Sequence, residues 1–298
     1  MKLAAIDIGS NAARLLVVEV LKNENEVSFN KLNLVRVPLR LGMDVFKKGE
    51  ISPMREKMIL ESMQAFRHLL EVYEVEHFRA CATSAMRDAT NSNQIRKAVK
   101  KKANIDIEII SGDEEASLVF ENHVAETLLT GKGYLYIDVG GGSTELSFMV
   151  DGKHIYRKSF NIGTIRLLQG LVSQADWDNM KAAVLQHVKS TGLPVVAIGS
   201  GGNINKVFSI SKKKDGSPLS LYLLNEYLKK MSALSIDERM RQYNFKTDRA
   251  DVIVPALRIY VQVMHWAGIK EILVPKIGVA DGLVHRLYER LAAQGLIA

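Results

Sequence analysis

Two glycine-rich segments, each placed after a predicted strand that ends in an aspartate, carry the clearest chemical signal in the sequence. They are Asp7–Asn11 (DIGSN) and Asp138–Thr144 (DVGGGST). Glycine lets a backbone approach a ligand closely, and successive amides in such a turn attract anions. Together the two segments predict phosphate binding, although the first one alone is more typical of an ordinary β-turn.

Three consecutive glycines, Gly140, Gly141 and Gly142, make the second segment the stronger signal. Each glycine costs about 0.5–1 kcal/mol relative to alanine, because it is freer in the unfolded chain. A purely structural turn rarely needs three, so a ligand lying against the loop is the favoured explanation. A third glycine turn, Gly199–Asn203, follows another apolar run. There a strand-to-helix turn and a nucleotide contact explain the pattern equally well.

Carboxylates accompany these loops. A strand-end aspartate can hold Mg²⁺ through water, which Mg²⁺ prefers to a complete set of protein ligands. Farther along, Ser111 and Glu114 have the spacing of a capping box, which gives Glu114 a structural task. Glu115 has no such task and could orient or deprotonate a water molecule. From this segment alone, an interaction of Glu115 with the helix dipole is the preferred interpretation.

The segment Thr83–Ala89 combines two hydroxyls with the guanidinium of Arg87 after another apolar run. Arginine matches phosphate oxygens with two parallel hydrogen bonds. A surface pair between Arg87 and Asp88 explains the same residues equally well. The 7 histidines show no metal-ligand spacing, and we predict no role for them in catalysis.

Strands and helices alternate along the chain, which predicts an α/β protein that places these residues at strand ends. Strands are predicted over Leu3–Ile8, Arg14–Leu21, Val27–Val37, Phe78–Thr83, Ile105–Ile110, Tyr134–Val139, Glu145–Val150, His154–Phe160, Pro194–Gly199 and Glu271–Val274. Helices are predicted from Pro53 with Ser52 as cap, near Ser92–Lys101, from near Ser111–Glu115 to about residue 129, at Gln174–Ser190, from about Asn205 and at Gly282–Ala293.

The order of strand, aspartate, glycine turn, strand and strand occurs twice. The two aspartates are 138 − 7 = 131 residues apart, a period typical of a duplicated domain and too long for a solenoid. We predict one domain over residues 1–125 and a second over residues 126–298, with a last helix that can pack back on the first domain.

Composition limits the class of protein. The chain has 298 residues, of which 47% are hydrophobic, as in ordinary globular proteins. No run of about 18 apolar residues occurs, so we expect no membrane helix. The single Cys81 and the interruption of the apolar start by Asp7 predict a reducing, cytoplasmic location. A net charge of +7 suits an anionic substrate and nucleic acid alike, so charge does not decide the partner.

Six motifs, in this order, resemble the exopolyphosphatase and guanosine pentaphosphate phosphohydrolase family, within the superfamily of acetate and sugar kinases, heat-shock chaperones and actin. They are AAIDIGSNAARLLV, ATSAMRDATN, IEIISGDEEA, IDVGGGSTEL, AIGSGGN and GVADGLV, and they extend through nearly the whole chain. The resemblance implies two duplicated ribonuclease-H-like, actin-like α/β domains that face a cleft. It also implies magnesium-assisted hydrolysis that releases a terminal phosphate from polyphosphate or guanosine pentaphosphate.

The resemblance assigns roles to individual residues. Glu115, the second glutamate of GDEEA, becomes the carboxylate that orients the water, which replaces the helix-dipole interpretation. Asp7, Asp138 and Glu145 are implied at the metal site. The positions similar to phosphate-binding residues are Ser10, Asn11, Arg14, Arg87, Gly140, Gly141, Gly142, Ser143, Thr144, Gly201 and Gly202.

Two positions depart from the family pattern. Ala12 stands where a serine is frequent, and Asn203 stands where the third loop usually has a threonine. No His-Asp dipeptide occurs, so we expect the short form without a C-terminal domain of the HD-phosphohydrolase type. Short polyphosphates or nucleotides would then be suitable substrates.

The expected cofactor is Mg²⁺, with Mn²⁺ as an alternative and a monovalent cation such as K⁺ as an accessory. The expected partners are polyphosphate and guanosine pentaphosphate, without nucleic acid or membrane, and a homodimer is compatible with this view. Two other functions stay open: a small-molecule kinase of the same superfamily, and a non-catalytic sensor that binds an alarmone or polyphosphate.

Overall fold

The structure is a computed structural model that describes residues 1–22, 27–124, 131–276 and 278–297. The chain forms two compact units, one made of Met1–Ser111 together with Val279–Ala298, and the other of Gly112–Gly278. The predicted domain boundary at residues 125 and 126 lies outside the described residues, as does the predicted helix end near residue 129.

The first unit contains a mixed sheet. Its strands are β1 (Lys2–Ile8), β2 (Ala13–Lys22), β3 (Val27–Val37), β4 (His77–Ala82) and β5 (Ile107–Ile109). They lie in the order β3-β2-β1-β4-β5. The first three strands form the predicted antiparallel meander, whereas β4 and β5 continue the sheet in parallel with β1. The carboxyl ends of β1 and β4 therefore meet at one edge of the sheet.

Helices cover this sheet. They are α1 (Gly42–Lys48), α2 (Pro53–Val72), α3 (Ser84–Asp88), α4 (Ser92–Ala103) and, near the end of the chain, α13 (Val279–Ala293). The inner face of α2 consists of Ile59, Met63, Phe66 and Leu70, which are buried in one core with β1. Helix α13 contacts β1, β2 and β4.

The start of α2 differs in detail from the prediction. Ser52 occupies the cap position, but its side chain makes no capping hydrogen bond to the helix. Its hydroxyl instead donates to Oδ2 of Asp44 at 2.5 Å, and Nε of Arg55 lies 2.8 Å from the same oxygen. Burial disfavours the charge on Asp44, but the hydrogen bonds from Ser52 and Arg55 outweigh it and lower the pKa of that carboxyl.

The second unit repeats the sheet of the first. Its strands are β6 (Gly133–Val139), β7 (Thr144–Val150), β8 (Lys153–Phe160), β9 (Val195–Ser200), β10 (Leu219–Ser220) and β11 (Glu271–Leu273). They lie in the order β10-β11-β9-β6-β7-β8, so the run from β8 to β11 matches the run from β3 to β5 in order and direction. The predicted duplication is confirmed. Strand β10 was not predicted, since two residues show no periodicity.

The helices of the second unit are α5 (Gly112–Val124), α6 (Thr164–Leu168), α7 (Gln174–His187), α8 (Gly202–Ser211), α9 (Leu221–Ser232), α10 (Ile236–Tyr243), α11 (Thr247–Ala250) and α12 (Ile253–Ala267). Helix α5 packs on β7 and β8, and α12 packs on β6 and on α6 to α9. In the described ranges, no helix combines the length and the hydropathy needed to span a membrane.

The Asp44 cluster allows a first prediction. We expect Asp44→Asn to lower the free energy of unfolding by about 1–2 kcal/mol at neutral pH, because hydrogen bonds to a charged, partly buried group are lost. The pKa of Asp44 is lower in the folded chain, so its stabilisation exists above the unfolded pKa and disappears as the pH falls through the folded pKa. Wild type and variant should therefore converge in acid, as measured by urea denaturation between about pH 7 and pH 3.

The control is Asp106→Asn, which removes an exposed ion pair with Lys100 whose atoms are 3.7 Å apart. Exposed pairs contribute about 0–1 kcal/mol, so this variant should be nearly as stable as the wild type. Equal losses in both variants would contradict a special contribution from Asp44.

Candidate active site

The second glycine loop, residues Gly140–Ser143, is held from behind by helix α6. The amides of Thr164 and Ile165 donate to the carbonyls of its first and second glycines at 3.0 and 2.8 Å. Nε of Arg166 donates to the carbonyl of its third glycine at 2.9 Å. The loop closes on itself, because the amide of its first residue donates to the carbonyl of its last at 2.9 Å.

These bonds orient the amides of the same loop. A trans peptide directs its carbonyl and its N–H to opposite sides. With three carbonyls directed to α6, the amides of Gly141, Gly142 and Ser143 point away from α6. Within the described part of the chain, none of these amides donates a hydrogen bond. Three consecutive available amides form a nest suited to phosphate oxygens.

Gly163, just before α6, lies against the back of the loop. A Cβ atom at this position would lie 2.4 Å from the carbonyl oxygen of Gly141 and 2.4 Å from the carbonyl carbon of Gly142. Since backbone atoms cannot move aside cheaply, this position requires glycine. No sequence signal marked it, because a lone glycine after a strand is common in loops. At the other end of the loop, the hydroxyl of Thr144 donates to the carbonyl of Ile162.

The first glycine loop, residues Gly9–Ala12, repeats the arrangement. The amide of its first residue donates to the carbonyl of its last at 3.0 Å. The amides of Gly42 and Arg40 donate to the carbonyls of Ser10 and Asn11 at 2.9 and 2.8 Å. A short helix that follows the third strand therefore supports the loop in each unit: α1 in the first and α6 in the second.

Side chains around the first loop bond to one another. Ser10 and Ser84 join their hydroxyl oxygens at 2.8 Å, which links the loop to α3. Nη1 of Arg87 donates to the carbonyl of Ile110 at 2.8 Å. The structure thus places Ser10 and Arg87 at the carboxyl ends of neighbouring parallel strands, where sequence reasoning expected them.

The strand pairs behind the two loops carry different charges. Asp7 lies opposite Arg14, and the two form an ion pair at 2.6 Å between Oδ2 and Nη1. At the equivalent place in the second unit, Asp138 lies opposite Glu145. The first unit thus neutralises its aspartate internally, whereas the second brings two carboxylates together.

Of the two carboxylates of the second unit, Glu145 is buried and Asp138 is half-buried. Glu145 is 2% exposed, and its Oε1 accepts a hydrogen bond from the hydroxyl of Ser159 at 2.7 Å. Burial, together with the charges of Asp138 and Glu145, raises the pKa of the Tyr260 phenol well above its ordinary value. This phenol, which sequence reasoning missed, therefore stays a donor and bonds the carbonyl of Ser200.

The third glycine turn lies against one of these carboxylates, Asp138. A Cβ atom at Gly201 would lie 3.0 Å from Oδ1 of Asp138, and Gly202 is the first residue of α8. The structure therefore brings the predicted residues Gly201 and Asp138 together, as the parallel pairing of β6 with β9 requires.

Glu115 is buried on the first turn of α5, with 7% of its surface exposed, whereas Glu114 is half-buried. Gly112 lies one turn earlier on the same helix face, because residues three apart are neighbours. A Cβ atom at Gly112 would lie 2.5 Å from Cβ of Ser159 and 3.9 Å from Oε1 of Glu145. The first turn of α5 is thus seated beside Glu145.

The acidic pair fits a magnesium ion. Across the described residues, no group of three or more His, Cys, Asp or Glu side chains could hold a metal. Magnesium, however, is commonly bound by one or two carboxylates, with water and substrate phosphates completing its shell. Asp138 and Glu145, adjacent and carrying the same charge, provide such a pair.

Several known proteins similar to this chain are named as phosphatases or pyrophosphatases. A guanosine-5′-triphosphate,3′-diphosphate pyrophosphatase of Aeromonas hydrophila is 26% identical over 95% of this chain and 59% of its own length. An exopolyphosphatase 2 of Mycobacterium tuberculosis is 31% identical over 56% of this chain and 54% of its own. A bifunctional 3-dehydroquinate synthase/phosphatase of Fusobacterium nucleatum is 34% identical over 56% of this chain and 26% of its own. The chain thus spans a quarter to three-fifths of these relatives.

Solved structures show the fold. The crystal structure of an exopolyphosphatase from Cytophaga hutchinsonii matches with a TM-score of 0.83 at 24% identity, over 97% of this chain and 98% of that one. A Ppx/GppA family member from Aquifex aeolicus matches with a TM-score of 0.74 at 20% identity, over the same shares. The predicted actin-like α/β fold is confirmed. The model of the Ppx/GppA phosphatase family matches residues 20–291, which is most of the chain. This chain therefore belongs to the Ppx/GppA phosphatase family.

Proposed function

We propose that this chain is a phosphoanhydride hydrolase that releases the terminal phosphate of inorganic polyphosphate or guanosine pentaphosphate. The main support is the second glycine loop, whose three available amides are oriented by bonds from α6. A phosphate group supplies oxygens for all three amides at once, which no neutral ligand does as well. The names of the curated relatives, an exopolyphosphatase and a guanosine pentaphosphate pyrophosphatase, support the same substrate class.

In this proposal, Glu115 orients the attacking water. Its carboxylate accepts a hydrogen bond from the water and takes up a proton as the water oxygen bonds to the terminal phosphorus. The bond from that phosphorus to the bridging oxygen breaks, and the shortened polyphosphate or nucleotide leaves with the bridging oxygen. Phosphoryl transfer depends mainly on positioning and charge stabilisation, which buried Glu115 and the loop amides provide.

Asp138 and Glu145 would hold Mg²⁺, or Mn²⁺ in its place, which neutralises negative charge on the phosphate oxygens when bound. An accessory K⁺ stays a prediction, as does a metal contact of Asp7, whose charge is matched by Arg14.

The first unit is proposed to contribute phosphate-binding groups of its own. Arg87 uses one nitrogen to bond the carbonyl of Ile110, and within the described chain its other donors make no hydrogen bond. Those donors suit a bidentate contact with phosphate. The proposed set in this unit also includes Ser10, Asn11 and Arg14.

We expect Glu115→Gln to lower kcat about 10²- to 10⁴-fold and to leave KM nearly unchanged, because the amide cannot accept the proton from water. The measurement is phosphate release with Mg²⁺ at saturating substrate. Glu114→Gln is the matched control, one residue away and half-buried, and should stay within a few-fold of wild type. Full activity in Glu115→Gln would contradict the proposed role.

We expect Gly163→Ala to lower kcat/KM about a hundredfold, since its methyl group displaces the loop backbone and misdirects the amides. The control is Gly152→Ala at an exposed turn, where φ is +75° and nothing lies within 4 Å of the added atom. Its strained backbone costs about 1–2 kcal/mol of stability without contact with the loop. Equal loss of kcat/KM in the two variants would argue for destabilisation instead of a displaced loop.

One assay tests the function itself. Phosphate release is measured on polyphosphates of graded length, on guanosine pentaphosphate and on ATP, each without an acceptor. Release from a phosphoanhydride supports the proposal. Transfer that requires an added small-molecule acceptor would identify a kinase, and tight binding without turnover in Mg²⁺ would identify a sensor. Either outcome would overturn hydrolysis.

A further inference from the structure

We propose that Ser159 is a positioning residue that fixes the metal-site carboxylate Glu145 and the helix of Glu115 relative to each other. This inference rests on the proposed function. Ser159 lies on β8, which carries none of the predicted site residues, and it contacts both groups at once.

The first contact is a hydrogen bond to a buried charge. Ser159 lies directly opposite Glu145 in the pairing of β7 with β8, and its hydroxyl donates to Oε1 at 2.7 Å. Because Glu145 is 2% exposed, bulk water cannot easily replace this donor. A carboxylate held by such an outer partner presents its oxygens to a metal in one orientation.

The second contact is steric. The Cβ of Ser159 occupies space that a side chain at Gly112 would need, at 2.5 Å from the position of such a Cβ atom. The absence of that side chain lets the first turn of α5 lie directly on β8. Glu115 is three residues further on the same face, so the contact of this first turn with β8 determines where its carboxylate lies.

A second hydrogen bond keeps the helix in register. Nη1 of Arg157, two residues before Ser159 on the same strand, donates to the hydroxyl of Ser117 on α5 at 2.7 Å. Ser159 and Arg157 of β8 therefore contact two successive turns of α5. Tilting the helix would break one of the two contacts, and the separation of Glu115 from Glu145 is thereby restricted.

The first experiment removes the hydroxyl with Ser159→Ala. Binding of Mn²⁺ to the substrate-free protein, followed by electron paramagnetic resonance, should weaken about 10- to 100-fold. The Mg²⁺ concentration that half-activates phosphate release should rise by a similar factor, while KM for substrate changes little. If the folded Ser159→Ala variant binds Mn²⁺ with an affinity within twofold of wild type, the proposal that Ser159 orients Glu145 is refuted.

Ser147→Ala is the matched control. Ser147 is a buried serine on β7, two residues from Glu145, and its hydroxyl has no partner among the described residues. Ser147→Ala removes the same atom from a more buried position in the same sheet, so Mn²⁺ binding and activity should both stay at the wild-type level. A loss equal to that of Ser159→Ala would mean that any serine hydroxyl close to Glu145 in this sheet has the same effect, which would overturn the proposal.

The second experiment tests the steric contact. Gly112→Ala should lower kcat at saturating Mg²⁺ by about 10- to 100-fold, because α5 must move away from β8. Adding Ser159→Gly makes room for the new methyl group, so the double variant should recover most of this loss in kcat. Its Mn²⁺ affinity should stay as weak as that of Ser159→Ala. If the folded double variant does not recover kcat, the proposed steric contact between α5 and β8 is refuted.

The two proposals can fail separately. If the wild-type chain releases no phosphate from any phosphoanhydride, the proposed function fails, and the Mn²⁺ measurements still decide whether Ser159 controls Glu145. If the wild type is an active hydrolase and Ser159→Ala resembles it in both metal binding and Mg²⁺ activation, Ser159 has no positioning role.

Discussion

The planar trans peptide is the constraint on which the proposed chemistry depends. Because carbonyl and amide of one peptide point in opposite directions, holding three carbonyls of the loop Gly140–Ser143 orients three amides. The holding element, α6 (Thr164–Leu168), is far too short to be a stable helix by itself. Its position comes from packing against α12, so the shape of the anion site is a property of the whole second unit.

The two units share this arrangement of a loop held through its carbonyls, but they differ in the charged residues beside the loop. Each unit closes its loop with the same amide-to-carbonyl bond and supports it with a short helix after the third strand. Behind the first loop, Asp7 pairs with Arg14, whereas Asp138 pairs with Glu145 behind the second. Adjacent carboxylates repel each other unless a cation or proton intervenes. This difference supports the proposal of a metal in the second unit and of an anion contact through Arg14 in the first.

Burial separates residues that look equivalent in sequence. Glu114 and Glu115 are neighbours of the same type. The capping-box spacing of Ser111 and Glu114 left Glu115 as the spare carboxylate, and the resemblance to the family was needed to give it a catalytic role. In the structure Glu115 is buried one turn after Gly112, which lies against β8, whereas Glu114 is half-buried. The third loop gains support in a similar way, because the Tyr260 phenol bonds the Ser200 carbonyl from a distant helix.

Sequence by itself determined the α/β class, most strands and long helices, the duplication and the chemical types at the loops. These features follow from hydrophobic periodicity and from glycine-rich segments, and both can be recognised within a short stretch of sequence. Only the tertiary structure shows which residues support each loop and why position 163 requires glycine. It also shows the contacts of Ser159 with Glu145 and Gly112. Those contacts join residues far apart in the chain, and short helices such as α6 show too few turns for a periodic pattern. A sequence records which groups are available, while folding decides which of them meet.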